Sequence, residues 1–127
     1  MIFDSDILIE FLGRNHSAAA CIENVPRLER NISVVSYLEV LYGCRSRREL
    51  GEFRQFVATY LTEVIPVTEV ISRRAVQLKE DHVLSRRLGV GDALIAATAL
   101  TRGDVLSTGN LKQFKFIPGL AIRVFQG

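Results

Sequence analysis

The sequence lacks the features that mark several protein classes. It has only two cysteines, Cys21 and Cys44, and neither lies close to another cysteine or to a histidine, so no zinc-ligand spacing is present. No apolar run approaches the roughly 18 residues that a membrane helix needs. The N-terminus also lacks the basic-then-apolar pattern of a secretion signal. We therefore expect a cytoplasmic protein without a membrane segment, with both thiols reduced.

A strong charge imbalance is also absent. The net charge is +2, from 16 basic and 14 acidic residues, and it does not by itself indicate a polyanionic partner. Apolar residues make up 48% of the chain and charged residues 24%, which is typical of a globular protein. The length of 127 residues predicts a single domain that spans residues 1–127.

Short apolar or β-branched segments alternate with helical patterns along the whole chain. The predicted strands are residues 2–3, 32–35, 64–67, 105–107 and 120–125. The predicted helices are residues 7–12, 17–24, 36–42, 49–61, 69–87 and 91–100. This alternation predicts a three-layer α/β/α sandwich with a mostly parallel central sheet. Pro66 lacks a backbone donor and moves its strand to an edge of that sheet.

Capping residues mark several of the predicted helix ends. Ser5 or Asp6 is expected to cap the first helix, and Gly13 is expected to end it. Ser36 is expected to begin the helix after the second strand, and Thr68 to cap the long helix that follows the third.

Asp4, Glu39 and Asp92 stand out because each carboxylate interrupts an apolar segment. Asp4 follows the first strand, Glu39 lies one turn into the helix after the second, and Asp92 heads the helix over 91–100. Since ligand sites in parallel sheets lie at the carboxyl ends of the strands, we expect all three acids at one edge. No lysine or arginine lies directly beside any of them in the sequence, and converging carboxylates repel one another. A divalent cation such as Mg²⁺ or Mn²⁺ relieves that repulsion and can activate water against a phosphodiester.

Each of these acids also has a purely structural explanation. Asp4 is a favoured type of N-cap residue. Ser36 and Glu39 have the S-x-x-E spacing of a capping box, in which the glutamate bonds back to the serine backbone. Asp92 is favourable at the positive end of a helix dipole. The metal-site hypothesis therefore depends on the three acids meeting.

Other polar residues are weaker candidates. Asp6 lies two residues beyond Asp4 and is expected at the rim of the site, whereas Asp81 and Asp104 have the settings of a solvated helix face and a turn. Five arginines flank the candidate acids and are candidates for contacts with phosphate: Arg45, Arg47, Arg48, Arg86 and Arg87.

Taken together, these motifs resemble the PIN-domain ribonucleases, specifically the VapC-like toxins of toxin–antitoxin pairs. The resemblance covers essentially the whole chain. Its motifs are residues 2–6, 36–43, 91–99 and 106–110, followed by Phe114, Ile117, Pro118, Gly119 and Leu120.

The resemblance implies a compact α/β/α domain that binds Mg²⁺ or Mn²⁺ and hydrolyses RNA with metal-activated water. Asp4, Glu39 and Asp92 match the three principal acids of the family. Members are typically homodimers, and a small VapB-like antitoxin inhibits them by inserting its tail into the acidic groove. The implied partners are therefore RNA, an antitoxin and a second copy of the chain.

One position departs from the family pattern. Many members carry a further acid after the fourth strand, where this chain has Asn110. An asparagine can still supply an oxygen or orient a water, but it removes one negative charge, so the number of metal ions stays open. Ser5 and Thr108 match small hydroxyl residues that often line the site.

Two other functions remain open from the sequence. Asp4-Ser5-Asp6 after an apolar strand is similar to the D-x-D start of haloacid-dehalogenase-type phosphatases, although the chain is short for that family. In addition, no second acid follows four residues after Asp92. The other alternative is a non-catalytic PIN-like domain that binds RNA or protein.

Overall fold

A parallel sheet forms the centre of the protein. The computed structural model describes residues 1–85 and 88–127. Its strands are β1 Ile2–Phe3, β2 Asn31–Ser33, β3 Glu63–Ile65, β4 Leu106–Thr108 and β5 Ile122–Val124. They lie in the order β3-β2-β1-β4-β5, and every neighbouring pair is parallel. All the carboxyl ends therefore lie at one edge, called here the carboxyl edge, and all the amino ends lie at the opposite, amino edge.

Helices cover both faces of this sheet. In the described ranges they are α1 Ser5–Leu12, α2 His16–Glu23, α3 Val34–Gly43, α4 Arg47–Tyr60, α5 Glu69–His82, α6 Val90–Arg102 and α7 Leu111–Phe114. One apolar cluster joins α5, α6 and α7 to the sheet, and another joins α1, α2 and α4 to its other face. The predicted three-layer sandwich is confirmed. None of the described helices combines the length and apolar character that crossing a membrane requires.

The central strand β1 contributes to both halves of the core. Ile2 and Phe3 are both 0% exposed, and they belong to the clusters on opposite faces of the sheet. This is the two-residue alternation of a strand. Burying each side chain contributes about 1.5–3 kcal/mol. Asp4 comes directly after Phe3, so a deeply buried strand carries it to the middle of the carboxyl edge.

The boundary between β2 and α3 differs from the prediction. The strand ends at Ser33, which is the N-cap of α3, and the Ser33 hydroxyl accepts a hydrogen bond from the backbone N–H of Val35 at 3.0 Å. The β-branched pair Val34 and Val35 is therefore helical, because capping and packing outweigh strand propensity. Ser36 does not cap the helix, so Glu39 is not at N3 of a capping box. That structural explanation of Glu39 is wrong.

The start of α1 also differs from the prediction. Asp4, rather than Ser5 or Asp6, is the N-cap, with φ −72° and ψ 159°. Its side chain accepts a hydrogen bond from the Ser5 backbone N–H at 2.8 Å. Gly13 is the C-cap, as predicted. The carboxylate of Asp4 therefore has a structural role in addition to any chemical one.

The third strand and the helix after it follow the prediction at their start. β3 is an edge strand, as Pro66 indicated, and the Thr68 hydroxyl caps α5 by accepting from the N–H of Ile71 at 3.2 Å. The predicted helix continued to about residue 87, but α5 ends at His82. Arg86 and Arg87 lie outside the described residues, so their predicted contacts with phosphate stay predictions.

Candidate active site

The structure brings Asp4, Asp6, Glu39 and Asp92 together at the carboxyl edge. Asp4 ends β1 and Asp92 lies in the first turn of α6, whereas Glu39 lies in the second turn of α3. The four carboxylates are close enough to repel one another, since repulsion from Asp4, Glu39 and Asp6 raises the pKa of Asp92. The predicted convergence of three distant acids is therefore present, with Asp6 as a fourth member.

Both oxygens of the Asp4 carboxylate are fixed by hydrogen bonds. Oδ1 accepts from the Ser5 backbone N–H at 2.8 Å, with the Ser5 hydroxyl 3.4 Å away. Oδ2 accepts from the hydroxyl of Thr108 at 2.7 Å, in a buried contact across the β1–β4 pair. Asp4 is 5% exposed. Since a carboxylate oxygen has two lone pairs, Oδ2 retains a site at which a cation can bind.

Asp92 has the most perturbed acidity at this edge. Burial, followed by repulsion from Asp4, Glu39 and Asp6, raises its pKa from 3.8 to about 6. In the described part of the chain, no lysine or arginine forms a salt bridge with it. A helix-dipole role would lower the pKa of this carboxyl, so repulsion and burial dominate here.

Glu39 is the most exposed of the three principal acids. Its pKa is also raised, first by partial burial and then by Asp4, while a hydrogen bond with the Ser5 hydroxyl opposes the shift. A Cβ atom on Gly91 would lie 3.3 Å from Glu39 Oε2. The glycine thus leaves room for the glutamate beside the start of α6, a role that its sequence position did not reveal.

Asp6 is more closely integrated than the predicted rim position implied. Its Oδ2 accepts a hydrogen bond from the Gly109 backbone N–H at 2.8 Å, and its Oδ1 is buried without a partner in the described residues. Burial and then Asp4 raise its pKa. The D-x-D spacing of Asp4 and Asp6 was the available signal, but the partner Gly109 lies 103 residues away.

The loop after β4 completes this side of the site. Thr108 is fully buried, whereas Asn110 is exposed and its side chain does not cap α7. The backbone N–H of Asn110 donates to the Thr108 hydroxyl at 3.0 Å. The main chain of Asn110 thereby supports Thr108, and the predicted role of its side-chain oxygen remains a prediction.

The arginines at the start of α4 are exposed and do not form ion pairs with the acid cluster. Arg48 pairs with Glu52 at 2.9 Å on its own helix, and the Arg45 backbone N–H donates to Glu49 at 3.1 Å. Arg47 is exposed in the first turn of α4. Their contacts with phosphate stay predictions.

An open groove lies next to Glu39 between α1, α3 and α4. Its volume is about 330 Å³, and its lining is mostly apolar, with carboxylates at its rim. The lining includes Ile9, Leu12, Val40, Glu49 and Glu52.

The arrangement offers hard oxygen donors rather than a closed cage. In residues 1–85 and 88–127, no group of three or more His, Cys, Asp or Glu side chains is arranged so that it could hold a metal ion by itself. That open arrangement suits Mg²⁺, which is commonly held by one or two carboxylates together with waters and substrate phosphates. Asp4, Glu39 and Asp92 remain the residues predicted to hold such a cation together with those additional ligands.

Comparison with known proteins gives concordant matches. A family model described as "PIN domain" matches residues 1–116. The chain is 35% identical over 119 residues to "Ribonuclease VapC10" of Mycobacterium tuberculosis, covering 90% of this chain and 85% of that protein.

Solved structures of toxin–antitoxin complexes also contain chains similar to this one. A toxin–antitoxin complex from Klebsiella pneumoniae contains a chain that is 29% identical, with a TM-score of 0.79 and coverage of 94% of both chains. VapBC2 from Rickettsia felis, bound to a promoter DNA fragment, matches with a TM-score of 0.86 and 21% identity, covering 99% of this chain and 100% of that chain. The second similarity concerns the fold alone.

Proposed function

The chain belongs to the PIN-domain family, and we propose that it is an endoribonuclease that acts as the toxin of a type II toxin–antitoxin pair. The observation that carries the proposal is the convergence of Asp4, Glu39 and Asp92 without a basic partner in the described residues. A relative with 35% identity over 90% of the chain is named a ribonuclease. Family membership excludes the haloacid-dehalogenase-type phosphatase.

We assign the holding of Mg²⁺ or Mn²⁺ to Asp4, Glu39 and Asp92. The all-oxygen donor set favours these hard cations. The raised pKa values of Asp92 and Glu39 describe carboxylates that gain from a nearby positive charge. The chemistry that such a cation supplies when bound is Lewis acidity toward the phosphodiester and activation of water.

Other parts of the chain position these three carboxylates. Thr108 and the N-terminus of α1 hold the Asp4 carboxylate in one orientation. Gly91 leaves the space in which Glu39 approaches the site. The first turn of α6 fixes Asp92, because Ala93, Ile95 and Ala96 anchor that helix in the core. We propose that this preorganised cluster orients the scissile phosphate for hydrolysis.

Cleavage of purified RNA with and without Mg²⁺ or Mn²⁺ tests the activity. We expect cleavage by the wild type with metal, its loss in chelator and its loss in Asp92→Asn. The matched control is Asp81→Asn, which removes an exposed carboxylate that accepts a hydrogen bond from Gln77 on α5. Activity that survives chelation and Asp92→Asn would contradict the mechanism. A wild type that binds RNA without cleaving it would instead favour the non-catalytic alternative.

We propose that a VapB-like antitoxin occupies the groove beside Glu39. The groove combines the apolar side chains of Ile9, Leu12 and Val40 with the carboxylates of Glu49 and Glu52. It therefore suits a segment that carries both apolar and cationic side chains. The product of a small neighbouring reading frame, when co-expressed, should co-purify with the chain and suppress cleavage.

We place the protein in the cytoplasm because its proposed RNA substrate is there.

We further propose that the active form is a homodimer. Leu38, Tyr42 and Val90 are 57%, 95% and 70% exposed, and they line an apolar groove formed by α3 and α6. Exposed apolar patches of this kind mark protein interfaces. Light scattering should give twice the chain mass for the wild type and one chain mass for Tyr42→Glu. Val124→Glu, which alters an exposed valine on β5, is the control that should stay dimeric.

A further inference from the structure

The carboxylate of Asp6 joins two segments that are distant in the sequence. Asp6 lies in the first turn of α1, and its Oδ2 accepts a hydrogen bond from the backbone N–H of Gly109 at 2.8 Å. Gly109 belongs to the loop between β4 and α7. One side chain therefore connects the start of α1 to the loop that borders the acid cluster.

That loop leads back to Asp4 through a directed hydrogen-bond chain. The backbone N–H of Asn110 donates to the Thr108 hydroxyl at 3.0 Å, and that hydroxyl donates to Asp4 Oδ2 at 2.7 Å. A hydroxyl has a single proton. Because the Asn110 amide occupies a lone pair of the Thr108 oxygen, the proton is directed to Asp4.

The space around Gly109 shows how tightly this connection is built. A Cβ atom at Gly109 would lie 2.8 Å from Asp6 Oδ2 and 3.3 Å from the carbonyl oxygen of Phe125. Phe125 in turn donates its backbone N–H to the Thr108 carbonyl at 2.8 Å. A side chain at position 109 therefore displaces either the Asp6 carboxylate or the β4–β5 pairing beside Thr108.

We infer that Asp6 is a positioning residue: by holding the Gly109 amide, it fixes the loop whose Thr108 hydroxyl orients the Asp4 carboxylate. This role needs an acceptor oxygen at position 6, and it does not need a negative charge. It differs from the direct binding of a cation, which uses the charge. The inference rests on the proposed function for its effect on cleavage, but the hydrogen bond itself can be measured independently.

Two substitutions at position 6 separate the two roles. Asp6→Asn keeps a carbonyl oxygen that accepts from the Gly109 N–H and removes the charge, whereas Asp6→Ala removes both. The readouts are the hydrogen-exchange rate of the Gly109 amide in the metal-free protein and the cleavage of RNA. Glu10→Ala is the matched control, since Glu10 is an exposed carboxylate one turn further along α1.

We expect Asp6→Ala to speed exchange at Gly109 and to lower cleavage by about 10–100-fold, the usual cost of losing an outer-shell partner. Asp6→Asn should keep the amide protected and recover most of the lost activity. Glu10→Ala should change neither readout. Equal losses of cleavage in Asp6→Asn and Asp6→Ala would overturn the inference, as would unchanged Gly109 exchange in Asp6→Ala.

A second variant breaks the same connection from its other side. Gly109→Ala leaves the charge of Asp6 in place, and we expect it to match Asp6→Ala in cleavage. Full activity of Gly109→Ala would overturn the inference. If the wild type itself fails to cleave RNA, the proposed function fails, and the Gly109 exchange rates still test the hydrogen bond.

Discussion

The charged groups at the two edges of the sheet differ in whether they form ion pairs. At the amino edge, the Met1 ammonium pairs with Asp104 at 2.7 Å, and Arg102 at the end of α6 pairs with Glu63 of β3 at 2.7 Å. At the carboxyl edge, the acids Asp4, Glu39 and Asp92 face one another without such a partner in the described residues. The paired charges stabilise the fold, whereas we propose that the unpaired carboxylates bind a cation.

Arg30, at the amino edge, also has partners, but these are neutral backbone carbonyl groups. Arg30 donates to the carbonyl oxygens of Val25, Tyr60 and Glu23 at 2.8, 3.3 and 3.2 Å. It thereby joins the C-terminal ends of α2 and α4 just before β2. Because the guanidinium is bound to three backbone carbonyl oxygens, we assign it to stability and not to chemistry.

We expect the largest effect, a loss of RNA cleavage, from a substitution at Asp4. Asp4→Asn should lower RNA cleavage by at least about 100-fold, because the site loses several kcal/mol of charge stabilisation. The fold should persist, since an asparagine oxygen can still cap α1. The assay is the initial cleavage rate at saturating Mn²⁺, with circular dichroism to verify folding. A rate near that of the wild type would show that the carboxyl edge is not the reactive one.

Arg30→Ala should have the next largest effect, and it should act on stability alone. It leaves three carbonyl acceptors without their charged donor, which costs about 2 kcal/mol of unfolding free energy. Urea denaturation measures this loss, with Arg54→Ala on the exposed side of α4 as the control. A changed cleavage rate in folded Arg30→Ala would contradict the assignment of the amino edge to stability alone.

Asp104→Asn should produce a smaller loss of stability. Its partly buried ion pair with the Met1 ammonium contributes about 1 kcal/mol. Cleavage at a temperature well below unfolding should be unchanged, in contrast to the matched change Asp4→Asn. The unfolding midpoint in urea and the cleavage rate together check this pair.

The pH dependence of the metal-free protein gives a further test of the carboxyl edge. Since folding raises the pKa of Asp92 from 3.8 to about 6, the folded state binds that proton more tightly than the unfolded state does. This group therefore stabilises the fold at low pH, and its contribution is lost as the pH rises from about 4 through about 6. The melting temperature of Asp92→Asn relative to the wild type should rise over that interval. A constant or falling difference would contradict the assigned repulsion.

The sequence was sufficient to predict which acids meet. Asp4 and Glu39 follow neighbouring strands, and parallel strands end at one edge, so the topology alone brings them together. It was not sufficient to predict what holds them. The bonds from Asp6 to Gly109 and from Thr108 to Asp4 join residues more than 100 positions apart. Such contacts depend on the register of β1 against β4, which no local pattern encodes.

Local competition explains the remaining errors. Val34 and Val35 favour a strand by propensity, but the Ser33 cap begins α3 before them. Asp4 occupies the N-cap position that Ser5 or Asp6 was expected to fill. In both cases the helix begins two residues earlier than its composition indicated, because a capping side chain lies at or directly after the end of the strand.

We propose that the carboxyl-edge acids are held without basic partners because they bind a cation. The most direct test is the melting temperature of the wild type and Asp92→Asn, each measured in chelator and in excess Mn²⁺. We predict that Asp92→Asn melts no lower than the wild type in chelator, and that Mn²⁺ raises only the wild type. At a hundredfold excess over Kd the added stability is about 2.7 kcal/mol. A marked destabilisation of Asp92→Asn in chelator, or equal shifts with Mn²⁺, would contradict the account.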